Sequence, residues 1–161
     1  WYTKFDLKNG YFQAPISEQD KKKTAFATPD GLFEFNRLPQ GLINSPPTFQ
    51  RLMNETLGNL RWKICVVYLD DIVIHSASFE QHLKDVETVC STLMKANFKL
   101  NVDKCEIFRK EITFLGYKVN QGGLSPSNEH VTAIQSFPQP TSAKHAYSFV
   151  QTANYFRKFI R

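Results

Sequence analysis

Apolar residues in this chain recur with period two in some stretches and with a period near 3.6 in others, and the switches between the two lay out its elements. Trp1, Thr3, Phe5 and Leu7 alternate with Tyr2, Lys4 and Asp6, which predicts a half-buried strand carrying Asp6 at its far end on the more polar side. Lys8-Asn9-Gly10 reads as a turn, and two aromatics, Tyr11 and Phe12, follow it. Residues 17–37 hold a polar, basic segment and then two β-rich runs around Pro29-Asp30-Gly31, the composition of a hairpin. Leu38-Pro39-Gln40-Gly41-Leu42 is a loop, behind which Ser45 is expected to cap a helix with Pro46 and Pro47 in its first turn. Phe49, Leu52, Met53 and Leu57 give that helix one apolar stripe, with Gln50, Arg51, Asn54 and Glu55 turned away from it.

The densest apolar run is Ile64-Cys65-Val66-Val67-Tyr68-Leu69, which leads into Asp70-Asp71 and out through Ile72-Val73-Ile74. It predicts a buried hairpin with two carboxylates at its turn. Ser78 and Gln81 form a capping box for a helix with Phe79, Leu83, Val86, Val89, Cys90 and Leu93 on its apolar face, ending near Asn97. His82 on that helix reads as a surface or packing residue, since no second His or Cys stands at ligand spacing. Strands are expected at 98–102 and 114–119, separated by charged residues, with a turn at Gln121-Gly122-Gly123. Helices are expected from about Ser127 to Phe137 and from about Thr141, the latter with Phe149, Val150, Ala153, Phe156 and Ile160 as its stripe. The order is that of an α+β fold, an antiparallel sheet with helices on one face followed by a smaller helical region.

Composition narrows the function classes. In 161 residues, 42% hydrophobic and 14% aromatic content suffices for a core, and a formal charge of +5 favours a polyanionic partner. Cys65, Cys90 and Cys105 are odd in number and widely spaced, which suggests neither a disulfide framework nor a zinc site and fits a reducing, intracellular setting. No apolar run is long enough to span a bilayer, so no membrane partner is expected. The chain starts inside a strand and stops inside an amphipathic pattern, as if cut from something longer.

The Asp-Asp turn carries the candidate chemistry. Adjacent carboxylates in an apolar hairpin repel each other and resist burial unless a cation or strong donors neutralise them. A two-metal phosphoryl-transfer site needs carboxylates from separate strands on one side of a sheet, and Asp6 with Asp70 and Asp71 are suitable candidates, with Mg²⁺ the natural ion.

Several blocks in order resemble the signature motifs of reverse transcriptases: Phe5-Asp6-Leu7 with Gly10-Tyr11-Phe12-Gln13, Leu38-Pro39-Gln40-Gly41-Leu42 with Ser45-Pro46 and Phe49-Gln50, Tyr68-Leu69-Asp70-Asp71, and Phe114-Leu115-Gly116-Tyr117. The chain is most similar in flavour to the Pol polyproteins of gypsy-type LTR retrotransposons, including a stretch like Asn154-Tyr155-Phe156-Arg157-Lys158-Phe159-Ile160. The resemblance implies a polymerase palm over residues 1–123, with a fingers hairpin at about 17–37, and the truncated start of a thumb or connecting helical region over 124–161. It implies template-directed DNA synthesis from an RNA or DNA template by two-metal nucleotidyl transfer, with two Mg²⁺ ions, or Mn²⁺ in their place, on Asp6, Asp70, Asp71 and the Leu7 carbonyl. Tyr11 and Phe12 would form the sugar pocket, and Gln40 and Gly41 would contact the incoming nucleotide. Phe114, Leu115 and Gly116 would form the primer grip, and Lys104 would reach the leaving pyrophosphate.

Expected partners are a primed template, deoxynucleoside triphosphates and the RNase H and integrase domains of a full-length polyprotein, in the cytoplasm within a virus-like particle. Phe149-Val150-Gln151-Thr152 and His130 depart from the family's usual Phe-Leu-Gly and lysine. The competing expectation is a catalytically inactive palm relic or a domesticated nucleic-acid-binding module, and the isolated segment is expected to polymerise poorly even if the site is sound.

Overall fold

The computed structural model describes residues 1–160, and the chain divides at Arg109/Lys110 into two compact units. In the first unit β1 (Tyr2–Asp6) is followed by two short helices, α1 (Gly10–Gln13) and α2 (Glu18–Lys21), and a small hairpin of β2 (Phe26–Thr28) and β3 (Gly31–Phe33). Then come α3 (Ser45–Leu57), β4 (Cys65–Tyr68), β5 (Asp71–His75), α4 (Phe79–Lys95) and β6 (Glu106–Arg109). The sheet is antiparallel in the order β4-β5-β1-β6, so the chain's first strand sits inside it between β5 and β6.

The period-two face of β1 is buried as expected, with Thr3, Phe5 and Leu7 inside, and it meets Ile72 and Ile74 of β5. Phe49, Met53 and Leu57 from α3 and Val89 and Leu93 from α4 close the same core. Each such side chain contributes about 1.5–3 kcal/mol on burial, so these two helices are fixed to the sheet by their apolar faces.

Three expectations for this unit are corrected. Ser45 is not the N-cap of α3; Asn44 holds that position without a side-chain bond, while Ser45 is buried in the first turn and donates to the Pro39 carbonyl at 2.6 Å. The buried face of α4 is rotated from the apolar stripe: Phe79 and Leu83 are exposed, and His82 and Asp85 are buried. A polar network explains this, because Thr3 Oγ1 lies 2.8 Å from His82 Nε2, Ser76 Oγ lies 3.0 Å from His82 Nδ1, and Asp85 accepts from Ser76 at 2.6 Å and Gln81 at 2.9 Å. Satisfied polar groups can be buried, so apolar counting misses them. Residues 98–102 form no strand, only a single bridge between Leu7 and Leu100, and the neighbour of β1 on the side away from β5 is β6, within the charged stretch.

The second unit is a meander of β7 (Glu111–Phe114), β8 (Tyr117–Asn120) and β9 (Gly123–Pro126), followed by α5 (Asn128–Gln135) and α6 (Ala143–Tyr155). The single strand expected over 114–119 is broken at Leu115-Gly116, where both residues have positive φ, 50° and 77°, as a tight two-residue hairpin requires. Strand β9 carries no apolar alternation strong enough to announce it. Ser127 and Ser142 cap the two helices through bonds from His130 and His145 amides. Among the described residues no helix is long and apolar enough to cross a membrane.

Candidate functional site

Asp6 and Asp71 are direct partners in the antiparallel β1–β5 pair. Residues opposite each other in such a pair project from the same face with Cβ atoms about 4.5–5.5 Å apart, so the two carboxylates share one side of the sheet. Tyr68 is also opposite Asp71, which leaves Leu69 and Asp70 as a two-residue loop between β4 and β5. Leu69 has φ 54°, a left-handed backbone that leucine disfavours. Asp70 packs against Gly10 at the start of α1, and Tyr11 beside it is half-buried with its ring edge-on to Phe49 at 5.2 Å. Burial, and after it the negative charge of Asp70 and the neighbouring Tyr68, push the Tyr11 hydroxyl above its ordinary pKa.

The electrostatics are those of crowded carboxylates. Burial is the main cause holding the Asp71 pKa above the usual carboxylate value; Lys4 opposes it, and Asp70, Asp6 and Glu106 reinforce it. Lys4 is itself paired with Glu106 at 3.2 Å. Among the described residues no three His, Cys, Asp or Glu side chains gather into a ready-made cation cage. Mg²⁺ does not need one, since one or two carboxylates suffice when water and substrate phosphates complete its shell. Asp6 and Asp71 on one face, with Asp70 next in the chain, are a donor set of that kind.

Supporting side chains absent from the expected site hold this geometry. Gln50, expected to face away from the core, accepts from the Leu69 amide at 2.7 Å and donates to Asn54 Oδ1 at 3.0 Å and the Val67 carbonyl at 3.4 Å. Gln13 donates to the carbonyls of Lys8 at 2.7 Å and Lys99 at 2.9 Å and accepts from the Lys99 amide at 2.7 Å, which ties α1 to the end of β1. Asn101 donates its amide to the Asp6 carbonyl at 2.8 Å. Both glutamines stand within the motif blocks, but a motif does not say which of its members act through the backbone of another.

The remaining candidates are more dispersed. Phe12 and Gln40 are exposed. Gly41, with φ 91°, lines a cavity of about 740 Å³ together with Pro15, Lys23, Leu38 and Arg51, and none of the three aspartates lines it. Lys104 is exposed on a 3₁₀ turn whose amide bond returns to Asn101. Phe114, Leu115 and Gly116 lie in the second unit, where Tyr155 donates its hydroxyl to the Leu115 carbonyl at 2.9 Å and the His130 ring packs against Gly116.

Comparison with known proteins adds to this geometry. Residues 1–119 match the family described as Reverse transcriptase (RNA-dependent DNA polymerase). The chain is 45% identical over 160 residues to the Retrovirus-related Pol polyprotein from transposon 297 of Drosophila melanogaster, covering 99% of this chain and 15% of that protein. It is 37% identical over its full length to the corresponding polyprotein from transposon gypsy of the same organism, of which it covers 16%. A Transposon Tf2-3 polyprotein of Schizosaccharomyces pombe is 36% identical over 159 residues, 99% of this chain and 12% of that one. Among solved structures, foamy viral protease-reverse transcriptase in complex with dsDNA superposes with a TM-score of 0.85 at 31% identity, over 97% of this chain and 32% of that one. The same kind of protein in complex with an RNA/DNA hybrid gives 0.82 at 31% identity, over 96% of this chain and 21% of that one.

Proposed function

The chain belongs to the reverse transcriptase family, and from that premise we propose that it is the palm-bearing part of an RNA-directed DNA polymerase in an LTR-retrotransposon Pol polyprotein. The observation that carries the reading is the direct pairing of Asp6 with Asp71, with Asp70 at the turn beside Gly10 and Tyr11. Residues 1–123 are then the palm, with a fingers hairpin at about 17–37, and residues 124–161 begin the thumb.

Asp6, Asp70 and Asp71, with the Leu7 carbonyl, would hold two Mg²⁺ ions, or Mn²⁺ in their place. Bound there, the metals supply charge stabilisation to the attacking and leaving oxygens of an in-line displacement. The protein's own part is positioning. Tyr11, braced by Phe49, presents a ring beside Asp70 that would lie under the sugar and crowd a 2′-hydroxyl, with Phe12 next to it. Gln40 and Gly41 would meet the nucleotide, Lys104 the departing pyrophosphate, and the Phe114-Leu115-Gly116 turn the primer strand. The substrates are deoxynucleoside triphosphates and a primed RNA or DNA template, in keeping with the dsDNA and RNA/DNA hybrid bound by the similar foamy viral proteins. RNase H and integrase domains are the expected companions in the polyprotein, in an intracellular particle.

A second reading, an inactive palm that binds nucleic acid, draws on the chain's formal charge of +5, which suits a polyanion whether or not the aspartates do chemistry. Primer extension on an RNA template separates the two, using the complete polymerase that carries this segment. Metal-dependent incorporation that Asp71→Asn abolishes while template binding persists supports the polymerase. Salt-sensitive binding without incorporation supports the alternative. The segment alone should extend primers poorly, because positioning supplies most of the rate in phosphoryl transfer and this chain spans only 15% of its transposon 297 relative.

A further inference from the structure

We propose that Gln50 is a positioning residue that fixes the Leu69-Asp70 turn, and through it the carboxylates of Asp70 and Asp71, relative to the loop that carries Gln40 and Gly41. The proposal rests on the polymerase reading above and deepens it.

Leu69 occupies a left-handed backbone conformation that a leucine keeps only when its surroundings hold it there. Its amide lies in the loop between β4 and β5, and Gln50 Oε1 accepts it at 2.7 Å. The orientation of the Gln50 amide is set at its other end, where Nε2 donates to Asn54 Oδ1 at 3.0 Å and to the Val67 carbonyl at 3.4 Å. Flipping the amide would turn a donor toward the Leu69 N–H, so one arrangement satisfies every partner. Gln50 is thus bonded to the hairpin on both sides of Tyr68, at Val67 and at Leu69, the latter being the residue just before the first of the two aspartates.

The helix that carries Gln50 has a second attachment. Ser45, one turn and a half earlier on α3, donates to the Pro39 carbonyl at 2.6 Å and is buried. Five residues of helix rise about 7.5 Å, and a helix does not stretch. Phe49, Met53 and Leu57 anchor the same helix in the core. Helix α3 therefore acts as a rod with the 38–41 loop tied to one point and the aspartate turn to another. A substrate held by both would depend on their spacing, and a loosened turn would misplace the carboxylates without removing them.

The test uses the complete polymerase with Gln50→Met, which keeps the side chain's length and loses both kinds of hydrogen bond, and Gln50→Glu, which keeps an acceptor for Leu69. Gln50→Met should lower kcat by about 10–100-fold, the size expected for a misplacement of about 1 Å. KM for the nucleotide and affinity for primed template should stay within about threefold of the original protein, as for an interaction that acts in the transition state. Hydrogen exchange at the Leu69 amide should quicken by about tenfold or more. Gln50→Glu, which keeps the acceptor for Leu69 but loses the donor to Asn54 and Val67, should retain more of kcat than Gln50→Met. A kcat for Gln50→Met within about threefold of the original would overturn the proposal. So would equal losses in both variants accompanied by equal losses of melting temperature, the mark of a purely structural role. If the unaltered polymerase incorporates nothing, the polymerase reading fails, and Mn²⁺ affinity decides the positioning claim. Binding weakened about tenfold in Gln50→Met upholds it, and unchanged affinity overturns it.

Discussion

Gly10 and Asp70 approach so closely that a Cβ on Gly10 would lie 3.0 Å from the Cβ of Asp70. The same atom would lie 3.2 Å from Cζ of Phe49, which is fully buried. Neither neighbour can swing aside, because one is the first side-chain atom of a turn residue and the other sits in the core. Gly10→Ala should therefore cost about 1–3 kcal/mol in urea unfolding, the usual range for overpacking. In the complete polymerase it should also reduce incorporation, since the strain is relieved most readily by displacing the Leu69-Asp70 turn. An unchanged urea midpoint would show that the turn yields freely.

Asp71 should be a residue whose charge destabilises the fold it serves. Its pKa in the folded protein is raised, mainly by burial, so its contribution to stability is fully present below the ordinary carboxylate value of 3.8 and is lost as pH rises through the folded value. At pH 7 in the presence of a chelator, Asp71→Asn should melt a few degrees higher than the original protein. The gap should close toward pH 3. Added Mg²⁺ should raise the melting temperature of the original protein more than that of the variant, because binding to the folded state stabilises it.

His82 should give the first unit a stability loss in mild acid. Its pKa is lowered from 6.5, chiefly by burial, with Asp85 opposing. A histidine with a lowered folded pKa contributes stability that is present above the unfolded value and lost as pH falls below it toward the folded one. Urea midpoints should fall between pH 7.5 and pH 5. His82→Leu should cost about 1–3 kcal/mol at pH 7.5, because it removes one buried partner from each of the Thr3 and Ser76 hydroxyls, which keep only the Phe108 amide and Asp85, and its midpoint should change less over the same range.

In the second unit the Leu115-Gly116 turn should depend on an aromatic cluster. Tyr155 donates to the Leu115 carbonyl at 2.9 Å, and Tyr117 donates to the Tyr155 carbonyl at 3.1 Å. Tyr155→Phe should cost about 1 kcal/mol, one hydrogen bond. Gly116→Ala should cost more, because φ is 77° and the new Cβ would meet His130 Cε1 at 3.0 Å. Thermal melts that ranked the two variants the other way would discount the backbone constraint.

Much of this arrangement was readable in the residues. Alternation located β1, the run around Asp70-Asp71 located the β4–β5 hairpin, and the stripe of Phe49, Met53 and Leu57 located α3. The register that puts Asp6 opposite Asp71 was not readable, because pairing across 65 residues depends on the whole sheet. Polar burial was the main blind spot. His82, Asp85 and Ser45 lie inside because hydrogen-bond partners from distant segments meet them there, and Gln50 faces the hairpin for the same reason. The region after Phe98 misled because β6 is built of Glu106-Ile107-Phe108-Arg109, a charged strand whose pairing with β1, not its composition, makes it one.

One residue, Lys110, joins the last strand of the first unit to the first strand of the second. Asp6, Gly10, Tyr11, Phe49, Gln50, Asp70 and Asp71 all precede it, and Leu115, Gly116, His130 and Tyr155 all follow it. A nick between Arg109 and Lys110 would sever none of the hydrogen bonds named for the Leu69-Asp70 turn or for the Leu115-Gly116 turn. The bonds named for the carboxylate turn and those named for the second turn are thus each drawn wholly from one side of Lys110.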